Sequence, residues 1–337
     1  EATGADVVIR NAGKPGIAER LLARLSSRGD PAGGCPTHQR GGLRTRAFIK
    51  IQEGCNELCA FCIVPYTRGR EVSVPIDRVL EEVQTRQAEG VIEVVLTGTQ
   101  LGNYGRDLGW TEQGPRRLLG ALLEATSVPR IRLSSLQAQD ISPALLRLWE
   151  TPRLCPHFHL PLQSGSDRVL AAMRRRYTAR QFLEAVETVR AAVPGVAITT
   201  DVIAGFPGET ADDFESTLAV CREAGFAAMH CFPYSRRPQT GAAKMDGHLP
   251  PEIRRARLER LLDLGRESSE RYRRAQLGSV AHVLWEQQMA GLWQGLTGNY
   301  MRAYTAASED LSNRLLPTRL DSLDAEGIRG TIAETAK

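Results

Sequence analysis

The sequence lacks the features of a secreted or membrane-spanning protein. Its 337 residues contain no apolar run of about 18 residues, so no segment is expected to cross a membrane. It does not start with a basic segment followed by an apolar one, and it lacks an initiator methionine, which suggests a truncated or processed start. Seven cysteines, an odd number with clustered spacing, argue against a disulfide framework. We therefore expect a cytoplasmic protein with no membrane association.

The rest of the composition is typical of a globular protein. Hydrophobic residues make up 42% of the chain and charged residues 24%. A chain of this length can bury a sizeable core. The net charge of +4 is a mild indication of an anionic partner.

The sequence pattern divides the chain into four parts. Residues 1–27 predict one strand and one helix, too little for a domain, and residues 28–42 have the Gly, Pro and Arg content of a linker. Residues 43–274 alternate between strand and helix patterns. Residues 275–337 predict short strands around Gly and Asn turns, which is typical of a small all-β barrel.

The alternating part predicts a parallel sheet curled into a partial (β/α)6 barrel, an α/β fold. Its strands are expected at residues 47–51, 92–96, 130–134, 157–160, 197–203 and 227–232. Its helices are expected at 76–89, 116–125, 143–150, 179–192, 211–223 and 251–274. The C-terminal strands are expected at 280–286, 292–297, 301–306 and 316–320. Functional groups should gather at the C-terminal ends of the parallel strands.

Three cysteines, Cys55, Cys59 and Cys62, directly follow the first predicted strand. No fourth Cys or His lies nearby in the sequence, whereas a structural zinc site normally uses four protein ligands. A cubane iron–sulfur cluster held by three thiolates keeps one iron open for a small molecule. We therefore predict a [4Fe–4S] cluster, shielded from water by Phe61. A zinc site that recruits a distant ligand and unrelated loop thiols are the alternatives.

Turns with glycine or hydroxyl groups follow the second and third predicted strands. Gly98, next to Thr97, would let the backbone approach a ligand closely. Ser134 and Ser135 carry hydroxyls that could reach a ribose. An ordinary strand-to-helix turn and a helix N-cap are the respective alternatives.

Further candidate ligand-binding residues follow the fourth and fifth predicted strands. Gln163 is expected to face the mouth of the barrel. Gly205 and Pro207 are expected to fix a tight turn beside the site for an adenine, with a purely structural turn as the alternative. His157 and His159 are expected to face opposite ways along the strand. Joint metal ligation by the two histidines is therefore not predicted, and both are interpreted as structural residues.

Several arginines could follow a phosphate backbone. Arg175 and Arg176 belong to a run of three arginines, and more arginines lie in the helix expected at 251–274. That helix also carries many acidic residues, so an ion-paired, solvated face is the favoured interpretation for it.

In this order the motifs resemble those of the radical S-adenosylmethionine (SAM) superfamily and, within it, the tRNA methylthiotransferases. Residues 44–70, which contain the cysteine triplet, and residues 160–166 and 201–210 are similar to segments of that family. Residues 230–245 resemble the subgroup that acts on threonylcarbamoyladenosine. Residues 295–300 resemble the TRAM domain, a small OB-like RNA-binding β-barrel.

The resemblance implies a [4Fe–4S] cluster on Cys55, Cys59 and Cys62, with SAM at the open iron. The SAM-binding residues that it implies are Phe61, Thr97, Gly98, Ser134, Ser135, Gln163, Gly205 and Pro207. The residues expected to contact RNA are Arg175, Arg176, Asn299, Tyr300 and Arg302, with a place in the barrel core as the alternative for Tyr300. No catalytic side chain is assigned from the sequence.

The implied reaction adds a methylthio group to C2 of N6-threonylcarbamoyladenosine beside the anticodon of tRNA. A 5′-deoxyadenosyl radical made from SAM would start it. The implied partners are tRNA and a reductant protein of the flavodoxin or ferredoxin type, and the sulfur donor is not indicated. The alternatives are methylthiolation of an aspartate in a ribosomal protein and a truncated, non-catalytic RNA-binding relic.

The sequence departs from the family pattern in two places. Family members carry an N-terminal domain whose three further cysteines bind a second [4Fe–4S] cluster, and only its tail, at residues 5–25, is expected here. Cys35 stands alone and cannot replace three ligands, so we expect SAM cleavage but not sulfur insertion from this chain by itself. Gln137 occupies a position where the family often has an acidic residue, which weakens one expected contact to SAM.

Overall fold

The computed structural model describes residues 45–110 and 113–333. The strand and helix predicted within residues 1–27, the linker at 28–42 and Cys35 lie outside these described residues. Within them, no helix combines the length and the apolar character that a membrane span requires.

Parallel strands form an open half-barrel, as predicted. The first strands in chain order are β1 (Arg46–Lys50), β2 (Gln52–Glu53), β3 (Val72–Ser73), β4 (Glu93–Thr97), β5 (Arg130–Leu133), β6 (His157–His159), β7 (Ala197–Ala204) and β8 (Ala228–Pro233). One sheet has the order β1-β4-β5 and a second has the order β6-β7-β8. Parallel bridges from Ile131 to Leu154 and from Ser135 to His159 join them. β1 and β8 are therefore the two edges of one curved, six-stranded surface.

Helices connect the strands and cover the outer face of this surface. They are α1 (Val64–Thr67), α2 (Ile76–Ala88), α3 (Gly114–Ala125), α4 (Pro143–Leu146), α5 (Asp167–Ala172), α6 (Ala179–Ala192), α7 (Ala211–Ala224) and α8 (Pro251–Ala275). α6 and α7 each begin with a capping box, formed by Thr178 with Gln181 and by Thr210 with Asp213. α7 ends at Gly225, whose positive φ of 54° suits glycine.

The main core lies between the strands and the helices. Val94 and Leu96 of β4 are fully buried, and Leu118 of α3 and Phe182 of α6 join them in one apolar cluster. Burial of each such side chain contributes about 1.5–3 kcal/mol relative to exposure. The same burial explains why the parallel strands read as short apolar runs in the sequence.

The C-terminal part is a closed five-stranded barrel. Its strands are β9 (Val280–Met289), β10 (Leu292–Thr297), β11 (Arg302–Thr305), β12 (Arg314–Leu323) and β13 (Ile328–Ile332). They close in the order β10-β11-β13-β12-β9 around a small core that includes Trp285 and Trp293. The prediction of a small all-β barrel is confirmed, whereas its assignment to the TRAM type stays a prediction.

A buried ion triad joins the two barrels. Glu93, the first residue of β4, is fully buried, with its carboxylate 2.8 Å from both Arg130 and Arg132 of β5. Burial raises the pKa of Glu93, but the two guanidinium groups hold it below its usual value. Both arginines also donate hydrogen bonds to the carbonyls of residues 296–298, at the end of β10. The C-terminal barrel is thus docked below the half-barrel, at the N-terminal ends of its strands.

Candidate active site

The cysteine loop spans residues 54–71 and emerges at the opposite, C-terminal end of the half-barrel. The short strands β2 and β3 pair on either side of it and close its neck. Gly54 has a φ of +73°, and a Cβ atom there would overlap the carbonyl group of Arg70. The amide of Cys55 donates to the carbonyl of Gly69 at 3.1 Å. The position of the first cysteine is therefore fixed by a glycine that no other residue can replace without strain.

Two other segments hold the middle of this loop. The amide of Ala60 donates to Met173 at 3.0 Å, and the carbonyl of Ala60 accepts from the amide of Ala242 at 2.7 Å. Phe61 is partly buried and packs against an apolar cluster that contains Phe206. The packing of Phe61 is compatible with a shield over the loop, which stays a prediction.

Two of the three thiols, Cys55 and Cys62, lie in an environment that disfavours a bare thiolate. Burial raises the pKa of Cys55 to about 11, although the amide of Glu57 donates to its Sγ at 3.3 Å. Burial also raises the pKa of Cys62. The thiolate is the form of cysteine that binds metal. These thiols therefore need a nearby positive charge, such as that of iron, to lose their protons.

The three thiols are a donor set that a cubane cluster can use, with one thiolate on each of three irons. Within residues 45–110 and 113–333, no three His, Cys, Asp or Glu side chains converge on one point as a mononuclear site requires. A cubane does not need such convergence, because each thiolate binds a different iron. The assignment of Cys55, Cys59 and Cys62 to three of the four irons stays a prediction.

Arg175 lies beside this thiol group. Its Nη1 donates to Cys59 Sγ at 3.5 Å, and its Nε donates to the hydroxyl of Tyr177 at 3.1 Å. Its Nη2 is buried and has no hydrogen-bond partner. A contact with RNA phosphate stays a prediction for Arg175, but its position favours a role at the cysteine loop.

Gln52 connects the cysteine loop to the end of β4, a role that the sequence did not reveal. Its Oε1 accepts hydrogen bonds from the amides of Thr99 and Gln100 at 2.9 and 3.0 Å. Its Nε2 donates to the carbonyl of Gly54 at 2.9 Å. A Cβ atom at Gly98 would lie 3.1 Å from Gln52, so the turn that carries Gly98 packs tightly against the loop.

A cavity of about 800 Å³ fills the interior of the half-barrel. Thr97, Ser134 and Ser135 line it, and Tyr300 of the C-terminal barrel contributes to its floor. Ser134 Oγ is buried and has no partner, so it is available to hydrogen-bond a ligand hydroxyl. The other predicted SAM-binding residues, Phe61, Gly98, Gln163, Gly205 and Pro207, do not line this cavity.

The turn after β7 is held rigidly. Gly205 has a φ of +75°, and its amide donates to the carboxylate of Glu209 at 2.9 Å. Glu209 is buried and paired with Arg257 of α8, and burial raises its pKa. Gln163, with a φ of +64°, exchanges backbone hydrogen bonds with β7. These contacts position Gly205, Pro207 and Gln163, whose SAM contacts stay predictions.

The other residues predicted to contact RNA lie in different settings. Arg176 is exposed and pairs with Glu57 at 3.2 Å, and Arg302 is exposed and pairs with Glu326 at 3.0 Å. Asn299 donates to the hydroxyl of Tyr272 at 2.8 Å, within the contact between the barrels. Their RNA contacts stay predictions.

Tyr300, also predicted to contact RNA, packs against the base of the half-barrel. Its ring centroid lies 4.4 Å from the guanidinium carbon of Arg132 and 5.0 Å from the ring of His157. Tyr300 thus lies outside the core of the small barrel, and it lines the cavity. An RNA contact for it stays a prediction.

The expectation that His157 and His159 face opposite ways is wrong. Residues two apart in a strand share a face. Both rings approach the Thr199 hydroxyl, at 3.2 and 2.9 Å. They point into the half-barrel and line the cavity.

Asp140, near the neck of the site, should make stability depend on pH. Burial raises the pKa of Asp140 to about 6, although the amide of Gln137 donates to its carboxylate at 2.8 Å. The folded protein therefore binds this proton more tightly than the unfolded chain does. The resulting stabilisation is fully present below about pH 4 and is lost as the pH rises through about 6. Relative to Asp140→Asn, the native chain should lose about 3 kcal/mol of unfolding free energy across that window.

Urea unfolding of both variants between pH 4 and pH 7.5 measures this difference. The exposed Asp246→Asn variant is the matched control and should follow the native pH profile. Parallel profiles for the native chain and Asp140→Asn would contradict the assignment.

The sequence was compared with known protein families and with curated proteins. The sequence profile of the radical SAM superfamily matches residues 49–221. A tRNA-2-methylthio-N(6)-dimethylallyladenosine synthase of Mycolicibacterium paratuberculosis is 44% identical over 248 residues, covering 71% of this chain and 47% of that protein. A synthase of the same name from Thermobifida fusca is 45% identical over 239 residues, covering 71% of this chain and 48% of that protein. The chain thus spans about half the length of these curated relatives.

A solved structure shares the fold. Coproporphyrinogen III oxidase from Escherichia coli, a radical SAM enzyme, superposes with a TM-score of 0.52 at 14% identity. The superposition covers 77% of this chain and 66% of that one. At this identity the likeness concerns the fold alone.

Proposed function

The chain belongs to the radical SAM superfamily, and from that membership we propose that it takes part in methylthiolation at C2 of an N6-modified adenosine in tRNA, for which it supplies the SAM-cleaving step. The superfamily's cofactors are a [4Fe–4S] cluster and SAM, as expected from the cysteine triplet. The observation that carries the proposal is the triplet at the mouth of a half-barrel, in a chain 44% identical to a tRNA methylthiotransferase over 71% of its length.

The residues of this chain have defined tasks in that proposal. Cys55, Cys59 and Cys62 would hold the cluster, which together with SAM supplies a 5′-deoxyadenosyl radical by one-electron cleavage. Arg175 donates to the Cys59 sulfur, and hydrogen bonds to cluster sulfurs are one of the factors that set reduction potentials. Gln52 keeps the loop and the turn after β4 in register. The cavity inside the half-barrel, of about 800 Å³, would receive the substrate base.

Two N6 groups are candidates for the substrate. The names of the similar relatives favour dimethylallyladenosine. Residues 230–245 resemble the subgroup that acts on threonylcarbamoyladenosine, which makes that nucleoside the second candidate. In either case the proposal places the enzyme in the cytoplasm, with tRNA and a reductant protein as partners.

Mass spectrometry of tRNA nucleosides tests the proposal and the substrate together. In a strain that lacks the gene, we expect the 2-methylthio derivative of dimethylallyladenosine to disappear and its unthiolated precursor to accumulate. The native gene should restore it, and the gene with Cys59→Ala should not. Loss of the threonylcarbamoyl derivative instead would select the second candidate. Unchanged levels of both would reject tRNA methylthiolation and leave the ribosomal-protein and relic alternatives.

A further inference from the structure

The cavity inside the half-barrel carries a set of polar side chains that the proposed chemistry does not yet use. Of the described carboxylates that line it, Glu286 pairs with Arg46 at 2.6 Å and Glu326 pairs with Arg302 at 3.0 Å. Asp201 of β7 has no Lys or Arg partner within the described residues, and 31% of its side chain is exposed to the cavity. It is therefore a hydrogen-bond acceptor with room for a ligand.

A chain of polar contacts leads to Asp201. His159 Nε2 lies 3.3 Å from Asp201 Oδ2, and its Nδ1 lies 2.9 Å from the Thr199 hydroxyl. In the tautomer with its proton on Nε2, the ring presents an N–H to Asp201 and an acceptor to Thr199. The Thr199 oxygen can then accept from His157 Nε2 at 3.2 Å. Burial lowers the pKa of His157 well below its usual range, which agrees with a neutral ring. The Asp201 carboxylate thus contacts His159 and also lines the cavity.

His230 stands next to Asp201 on the same face. The two residues are register partners in the parallel pair β7–β8, so their side chains project side by side into the cavity. The ring of His230 lies 5.7 Å from that of His159, and its side chain is exposed. An imidazole N–H thus stands beside a carboxylate, as a donor beside an acceptor.

Exposed aromatic rings flank the opening of the half-barrel. Phe48 lies on β1 and Phe232 on β8, the two edge strands, and they are 61% and 51% exposed. Both line the cavity. Rings left exposed in such places are suited to stacking on a nucleobase. A flat heteroaromatic ligand accordingly suits this cavity.

We propose that Asp201 and His230 read the Hoogsteen edge of the substrate adenine. Asp201 accepts the single N6–H that an N6-substituted adenosine keeps, and His230 donates to N7. This reproduces the acceptor–donor pattern with which Asn and Gln recognise adenine. C2 lies on the far side of the six-membered ring, so it turns away from β7 and β8 towards the wall that carries Thr97 and Ser134. The inference rests on the proposed function and deepens it.

The test is the affinity of the full chain for anticodon stem-loop RNAs. Three stem-loops carry, at one position, N6-dimethylallyladenosine, its 7-deaza analogue or plain adenosine. We expect the native chain to bind the 7-deaza RNA about tenfold more weakly than the parent, because the bond between His230 and N7 is lost. His230→Ala should bind both equally, at the weaker affinity. Asp201→Ala should lose a similar factor, and Asp201→Asn, which keeps an acceptor, should recover most of it.

Controls separate the inference from the function on which it rests. The exposed His282→Ala variant, outside the cavity, should retain the native discrimination, and urea unfolding of each variant confirms that it folds. Equal native affinity for the parent and the 7-deaza RNA, or undiminished discrimination in His230→Ala, would overturn the inference while a preference for N6-modified RNA stands. No preference for N6-modified over plain adenosine would overturn the proposed function as well.

Discussion

We expect the replacement of Cys59 by alanine to abolish assembly of the cluster. If Cys55, Cys59 and Cys62 are its three ligands, the two thiolates that remain are too few to hold a cubane. After anaerobic reconstitution, the native chain should contain about four irons and show the broad visible absorbance of an iron–sulfur protein. The Cys59→Ala chain should contain background iron and show no such absorbance. Iron analysis and visible spectroscopy on the same samples measure both effects.

The matched control is another cysteine of the same chain. Cys231 lies on β8 and is partly buried, but it is remote in sequence from the triplet. The Cys231→Ala variant should keep native iron content and absorbance. A Cys59→Ala chain that still binds iron with a native spectrum would contradict the ligand assignment and return the zinc and loop-thiol alternatives.

Replacement of Glu93 by glutamine loosens the contact between the two barrels. Glu93 is the buried anion between Arg130 and Arg132, so its neutralisation leaves two buried guanidinium groups without a charge partner. Breaking a buried ion pair in this way costs about 3–5 kcal/mol. We expect the free energy of unfolding in urea to fall by that amount. Because both arginines also hold the carbonyls of residues 296–298, we expect the C-terminal barrel to become sensitive to proteolysis near residues 275–280.

An exposed ion pair provides the comparison for Glu93. Glu81 pairs with Arg78 at 2.9 Å on the surface of α2, and both side chains are largely exposed. The Glu81→Gln variant should unfold at the native urea concentration, since exposed pairs contribute little. If Glu93→Gln behaved in the same way, the buried triad would not be what docks the barrels.

The sequence was most informative where the pattern is local. The strand expected at 92–96 is Glu93–Thr97, and the helix expected at 179–192 is Ala179–Ala192. Short apolar runs and capping residues carry that information within a few positions. The strand Ile328–Ile332 was missed because Gly330 interrupts its pattern. In the folded barrel, a Cβ atom at Gly330 would approach the Arg319 carbonyl closely, which is why glycine is there.

Contacts between distant residues were not readable from the sequence. Gln52 meets Thr99 across 47 positions, and Arg132 meets Gly298 across 166. No periodicity encodes such pairs. The same holds for Asp201, which the sequence placed in a strand but could not place beside His159 and His230 in a cavity.

The most direct test of the account is whether the triplet supports SAM cleavage. The native chain is reconstituted with iron and sulfide under anaerobic conditions, reduced with dithionite and given SAM, and the products are quantified by chromatography. We expect 5′-deoxyadenosine and methionine in equal amounts from the native chain and neither from Cys59→Ala. A reconstituted native chain that carries the cluster and forms no 5′-deoxyadenosine would contradict it.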